Sequence, residues 1–447
     1  MSQSPKTPNS NRANTKEEPR TAKGMRDLFE EELFFLQGFN EKASEIAIYY
    51  GFKPIETPIL EKESLFTKGI GSGTDIVDKE MYNLKTKGGD KLVLRPEGTA
   101  PTMRAYFEHG LLSEPQPIML YSFGPYFRHE NPQQGRYRQF WQFSLEILGS
   151  PKSISDATVI KLLTLILSEA GVKDLTVHIN SIGDKNCRPA FVKELSSYYQ
   201  KQAKDICSDC RQRLKTNPLR VLDCDHPKCQ KVKKDAPEAV NYLCAECRQH
   251  FKEVLEYLDG MGIPYQINNN LVRGLDYYSR TVFEITSETP STGDSEPTNS
   301  LALASGGRYD GLGKEIGGKK NISAVGGSVG VDRLMATTAA KKLTPRIIKK
   351  PKVFFIQLGL EAKLKSFEVI ETLRRAKIPL IHSLTKDSLS AQLAQAEKLN
   401  IPYTIILGQK EAIENSVIVR NMESRSQDTV SLNDLPNFLK KIKCHNC

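Results

Sequence analysis

Residues 127–149 read Phe-Arg-His-Glu-Asn-Pro-Gln-Gln-Gly-Arg-Tyr-Arg-Gln-Phe-Trp-Gln-Phe-Ser-Leu-Glu-Ile-Leu-Gly. Aromatic and β-branched runs on either side of a Pro/Gly turn predict two strands joined as a hairpin. Because strand side chains alternate, Arg128 and Glu130 share a face where the first strand ends. The turn carries Arg136 and Arg138, and Gln142, Ser144 and Glu146 share a face of the returning strand. Such a face can hold a phosphate against guanidinium and a polar, cationic ligand beside carboxylate. Taken alone, the same pattern also suits a solvated sheet face with surface ion pairs.

Other residue clusters invite chemistry with less context. Gly69-Ile70-Gly71-Ser72-Gly73 and Gly306-Gly307-Arg308-Tyr309-Asp310-Gly311 suggest phosphate loops. The first does not open a helix after a strand, and no G-x-x-x-x-G-K-[ST] occurs, which argues against P-loop and Rossmann readings. Of nine cysteines, seven lie between Cys187 and Cys247, and the others are Cys444 and Cys447. Cys207-x-x-Cys210 and Cys244-x-x-Cys247 could together form a structural zinc site, with His226 as a possible substitute ligand, although 33 residues between the pairs exceed the usual spacing. Free thiols are the alternative. Clustering of this kind favours a reducing cytosol over a disulfide framework.

The elements that must position these residues follow from periodicity. Leu33, Leu36, Phe39, Ala43, Ile46, Ala47 and Tyr50 recur at three- and four-residue steps, predicting an amphipathic helix from Phe29 to Tyr50, then a strand from Phe52 towards Pro58. Segments 91–95, 118–123, 139–147 and 280–286 read as antiparallel strands. A helix at 156–170 and a strand at 174–180 precede a charged stretch with helical spacing that runs to 262. A Ser/Thr/Pro-rich connection at 287–299 leads to 300–304. Beyond 345, alternating strands and helices predict a small α/β domain with a mostly parallel sheet, reached through the basic run Lys341–Lys352.

The 447 residues exceed one compact core and imply several domains. No apolar run approaches the roughly 18 residues of a membrane span, so no membrane role is expected. The first twenty residues are polar and Pro/Ser/Asn-rich, without the apolar core of a secretion signal, and read as a disordered tail. The net charge of +10 is uneven: residues 344–447 carry 17 Lys/Arg against 10 acidic residues, and residues 201–234 carry 10 against 4. Two basic regions on an otherwise slightly acidic chain suit a polyanion contacted at two places.

The hairpin resembles motif 2 of the class II aminoacyl-tRNA synthetases. The helix and strand ending at Pro58, and Val325-Gly-Gly-Ser-Val-Gly-Val-Asp-Arg-Leu-Met-Ala336, resemble motifs 1 and 3 of that class. Arg95-Pro-Glu-Gly-Thr99, Leu271-Val-Arg-Gly-Leu-Asp-Tyr-Tyr278 and Ser305-Gly-Gly-Arg-Tyr-Asp-Gly-Leu312 resemble signature segments of the histidyl-tRNA synthetase family. The resemblance spans roughly residues 22–440. Trp141 departs from it, standing where a histidine is common in the family.

That resemblance implies an α+β fold with a class II antiparallel sheet core, an inserted mainly helical domain and a C-terminal α/β anticodon-binding domain. It divides the chain into a tail at 1–21, a core at 22–184 and 263–343, an insertion at 185–262, the anticodon-binding domain at 344–442 and a tail at 443–447. The activity implied is ligation of L-histidine to tRNA(His) with ATP and Mg2+, by a cytoplasmic homodimer. Arg128, Arg273 and Arg333 would be catalytic. Glu97, Gly98, Thr99, Arg128, Gln142, Glu146, Arg273, Tyr277 and Tyr278 would bind histidine, and Arg128, Glu130, Arg136, Phe140 and Arg333 would bind ATP, with Phe140 offering a face to adenine. Gln133 and Arg138 would meet the tRNA acceptor end. A non-catalytic histidine-sensing paralogue, such as an ATP phosphoribosyltransferase regulatory subunit, is the alternative. Such proteins typically lose ATP-gripping arginines.

Overall fold

The computed structural model describes residues 19–71, 73–133, 135–287, 302–337, 343–349, 351–384 and 386–442. The tail up to residue 18, most of the polar connection after Ser287, parts of the Lys341–Lys352 run and the Cys444/Cys447 pair lie outside them. The chain forms two compact units, divided between Pro345 and Arg346. Among the described residues no helix is long and apolar enough to cross a membrane.

The first unit is built on an eight-stranded sheet. Its order is Lys53–Pro54, Ile118–Phe127, Gln139–Leu148, Ala324–Gly330, Ala304–Arg308, Ser279–Ser287, Leu175–Ser181 and Tyr265–Ile267. Only the two edge pairs are parallel. The alternation expected of Gln139–Leu148 holds: Phe143, Leu145 and Ile147 are buried against Phe39, Val159, Ile160 and Leu163, leaving Gln142, Ser144 and Glu146 on the opposite face. The helices behind the sheet are Glu30–Tyr49, Ser153–Glu169 and Ala245–Gly260, whose Phe251, Val254 and Leu258 enter the same core.

Three expectations change. The strand expected from Phe52 to Pro58 is only Lys53–Pro54, because Pro54 and Pro58 have no N–H to extend a ladder. The strand Lys91–Leu94 belongs not to the main sheet but to a separate antiparallel sheet with Leu60–Lys62 and Tyr82–Lys85. Arg128 and Glu130 lie just beyond the strand end at Phe127 rather than within it.

Between Ser181 and Tyr265 the described chain is helical, with Arg188–Lys201, Ser208–Thr216, Pro227–Lys233 and Ala245–Gly260. In the second unit the sheet order is Leu380–His382, Val353–Gln357, Tyr403–Leu407, Ser416–Asn421 and Gln427–Ser431. The first three strands are parallel and the last two antiparallel, so the sheet is mixed rather than mostly parallel. Parallel neighbours need a crossover of about a dozen residues or more. The connections after Leu407 and Asn421 are shorter, which forces the chain to return antiparallel.

Candidate active site

A cleft opens on the polar face of the main sheet. Every residue expected to bind histidine or ATP lines it: Glu97, Gly98, Thr99, Arg128, Glu130, Arg136, Phe140, Gln142, Glu146, Arg273, Tyr277, Tyr278 and Arg333. Gln133 and Arg138 do not.

One end is a buried cluster of carboxyls and hydroxyls. Glu97 lies where the helix Thr99–Glu108 starts and accepts from the backbone N–H of Thr99 at 2.7 Å and of Ala100 at 3.0 Å, and from the Tyr277 hydroxyl at 3.3 Å. Burial nonetheless raises its carboxyl above the ordinary range. Glu146 accepts from Thr99 Oγ1 at 2.8 Å and from the Tyr309 hydroxyl. Burial outweighs both bonds and pushes its carboxyl up to about 8. The pocket therefore presents a carboxyl that keeps its proton at neutral pH until a cationic or donating group arrives.

Room for Glu146 comes from glycine. Gly326 is its register partner on the next strand, and a Cβ there would meet Glu146 Oε2 at 1.6 Å. Gly307, paired with Gly326, is equally constrained, since a Cβ would lie 2.9 Å from the Tyr278 ring. The two glycines thus lie directly beneath the pocket-lining side chains of Glu146 and Tyr278.

The other end gathers cations. Arg128 donates Nε to the Pro96 carbonyl at 2.9 Å, lies 3.8 Å from Glu130, and holds its guanidinium carbon 5.3 Å from the centre of the Phe140 ring. Arg128 therefore covers one face of the ring expected to stack on adenine. Arg333, on the helix Val331–Met335, donates to the Ala302 carbonyl at 2.8 Å. Burial, together with Arg136, Arg273 and Arg128, lowers its guanidinium to about 10. Arg273 is held by Glu284 and by Ser305 Oγ at 2.8 Å, and its buried Nε has no partner among the described residues. Four guanidinium groups facing one space repel one another, and a polyanion relieves that repulsion.

Sequence reasoning missed several residues that fix this geometry. Tyr309 reaches Glu146, and the adjacent Arg308 is fully buried, paired with Asp156 and donating to the Ser150 and Lys152 carbonyls at 2.9 and 3.1 Å. Arg95 likewise grips the Thr57 and Pro125 carbonyls at 2.7 and 3.0 Å. The arginines of these two signature segments are braces, and the residues beside them reach the pocket. Asp332 accepts from the Trp141 N–H at 2.6 Å and pairs with Arg26 at 2.9 Å, locking the Arg333 helix to the hairpin. The Asp-Arg adjacency in motif 3 was the available signal.

The remaining expected residues sit elsewhere. Arg138 is turned onto the chain itself, donating to the carbonyls of Glu130 at 3.1 Å and Lys23 at 3.3 Å. Gln133 is exposed and pairs through its backbone with Arg136. The four cysteines expected to share one site are divided. Cys207 and Cys210 meet Cys224 and Cys229, whereas Cys244 and Cys247 meet Cys187 and Asp184. His226 is not among them, since its Nδ1 accepts from the Lys228 N–H at 3.2 Å.

An antiparallel sheet flanked by helices, with an arginine-ended pocket on its open face, defines the core of a class II aminoacyl-tRNA synthetase. The family model described as histidyl-tRNA synthetase matches residues 24–334, and that described as anticodon binding domain matches residues 352–442. A histidine-tRNA ligase of Dehalococcoides mccartyi is 39% identical over 419 residues, covering 94% of this chain and 98% of the relative. One of Natranaerobius thermophilus is 40% identical over 421 residues, covering 94% and 98%. The structure of apo S. aureus histidyl-tRNA synthetase superposes with a TM-score of 0.77 at 30% identity, covering 95% of this chain and all of that one. The chain belongs to the histidyl-tRNA synthetase family.

Proposed function

We propose that the protein is a histidine-tRNA ligase. The observation that carries this is the juxtaposition, in one cleft, of a four-arginine anion site with a buried end built from Glu97, Glu146, Tyr277 and Tyr278. Histidine lies with its imidazole between Glu146 and Tyr278, one nitrogen donating and the other accepting, and its α-amino group towards Glu97, Thr99 and Gln142. ATP enters as its magnesium complex, whose metal offsets phosphate charge. A histidine carboxylate oxygen attacks the α-phosphorus, the new C–O–P bond forms, and the bond to pyrophosphate breaks. Arg128 and Arg273 steady the α-phosphate from opposite sides, and Arg333 holds the γ-phosphate. The terminal ribose hydroxyl of tRNA(His) then attacks the carbonyl carbon, and AMP leaves. A site built to hydrogen-bond imidazole rejects analogues lacking those groups by about 10⁴–10⁵, so no editing step is required.

The retention of Arg128, Arg273 and Arg333 around one cleft favours catalysis over histidine sensing. Residues 22–184 and 263–343, together with the helix Ala245–Gly260 that packs behind the main sheet, form the catalytic core, the rest of 185–262 the insertion approaching the acceptor arm, and 344–442 the domain reading the anticodon. The exposed apolar residues Ile48, Tyr49, Ile59 and Leu60 around motif 1 support homodimerisation. Free thiols at all seven described cysteines suit a cytoplasmic setting. Pyrophosphate exchange with ATP, run with each amino acid in turn, tests the activity. Histidine alone should support exchange, and exchange indifferent to the amino acid supplied refutes the assignment.

A further inference from the structure

The cysteines outside the cleft are arranged as two complete tetradentate sets. In the first, the sulfurs of Cys207, Cys210, Cys224 and Cys229 lie within 4.8 Å of one another. Cys207 and Cys224 are 3.8 Å apart at sulfur. A zinc tetrahedron with bonds of about 2.3 Å has sulfur-sulfur edges of about 3.8 Å. Backbone amides are aimed at these sulfurs: Cys207 N–H donates to Cys229 Sγ at 3.2 Å, Cys210 N–H to Cys207 Sγ at 3.4 Å and His226 N–H to Cys224 Sγ at 3.5 Å. A neutral thiol is a weak acceptor, whereas metal-bound thiolates gain from such donors.

The second set has three thiols and a carboxylate. Cys187, Cys244, Cys247 and Asp184 also converge within 4.8 Å, and Asp184 N–H donates to Cys187 Sγ at 3.4 Å. Each set takes one Cys-x-x-Cys pair at the start of a helix and two partners from another segment. All seven thiols are free despite this proximity.

We infer that each cluster binds one zinc ion. Four protein ligands leave no open position, so both ions are structural. The first clamps the segment from Cys207 to Cys229, whose Arg213 and Arg220 reach Asp75 at 3.4 and 2.5 Å and whose Asn217 reaches Asp276 at 2.6 Å, next to pocket residues Leu275 and Tyr277. The second fastens the end of the strand Leu175–Ser181 to the helix Ala245–Gly260. The metals therefore hold the helical region against the wall of the cleft without touching substrate.

The test is a zinc count on the full chain, produced in zinc-supplemented medium and purified without chelator, by elemental analysis and native mass spectrometry. Two equivalents are expected. Cys224→Ser and Cys187→Ser should each retain one, and Cys444→Ser combined with Cys447→Ser should retain both. One equivalent or fewer in the unaltered chain, or a loss on altering the terminal pair, overturns the assignment. The count in the unaltered chain decides the matter even where a serine variant does not fold. It is read without ATP or tRNA, so its failure leaves the aminoacylation reading intact.

Discussion

Glu146→Ala separates recognition of histidine from recognition of ATP. The substitution removes the acceptor that Thr99 reaches at 2.8 Å and that Tyr309 also uses, together with the group proposed to face the imidazole. Losing a hydrogen bond to a charged group costs about 1.5–3 kcal/mol. At about 1.4 kcal/mol per decade, the KM for histidine should rise by roughly 10- to 150-fold. Arg128 and Arg333 share no hydrogen bond with Glu146, so the KM for ATP should move by less than about threefold, under about 0.7 kcal/mol. Glu146→Gln keeps the volume and one acceptor while removing the charge, and should give an intermediate rise in the histidine KM. The assay is histidine-dependent pyrophosphate exchange, varying each substrate with the other saturating. Equal rises in both constants would show that Glu146 supports the cleft as a whole, and the assignment of its role would fail.

The same carboxyl sets a pH dependence. Its pKa of about 8 in the folded protein lies above the ordinary 4.5, so the native state retains a proton that the unfolded chain releases. That contribution to stability is complete below about pH 4.5 and is lost as the pH rises to about 8, by at most about 5 kcal/mol. Glu146→Gln should flatten this part of the unfolding profile, and identical slopes in the two proteins would contradict it. Arg273→Gln should lower turnover about a hundredfold or more, in line with about 2.7–4 kcal/mol for a donor aimed at developing charge; turnover unchanged in a protein of normal circular dichroism removes Arg273 from the mechanism. Arg138→Ala should reduce tRNA charging about tenfold, near 1.4 kcal/mol, while sparing pyrophosphate exchange. Parallel losses in both assays would instead mean that Arg138 matters by anchoring the Lys23 and Glu130 carbonyls.

The parts of the site legible in the sequence are those fixed by local periodicity. A period of two was enough to put Gln142, Ser144 and Glu146 on one face, because the opposite face carried Phe143, Leu145 and Ile147. Resemblance to signature segments supplied Glu97, Arg273 and the tyrosines, which periodicity alone does not reach. What escaped depends on contacts between distant segments. Tyr309 is aimed at Glu146 by the burial of Arg308 against Asp156, a contact 152 residues away in the chain that no spacing rule anticipates. The cysteines were misgrouped because two matching Cys-x-x-Cys pairs suggested one another. Each pair starts a different helix, and the first meets Cys224 and Cys229, which lie nearer in the chain and cost less loop entropy to bring in. The second unit looked mostly parallel because its strand and helix lengths alternate, whereas the short connections after Leu407 and Asn421 dictated the antiparallel half.

Gly307 and Gly326, beneath Tyr278 and Glu146, limit how the pocket can change over evolutionary time. With no side chain left to shorten, neither position can let Glu146 or Tyr278 settle deeper, and any residue other than glycine pushes those side chains into the cleft. Selectivity can therefore drift only through the walls, at positions such as Gln142, Ser144 and Tyr277, each of which lines the cleft. Variants with altered substrate choice should consequently carry substitutions in the walls and keep both glycines.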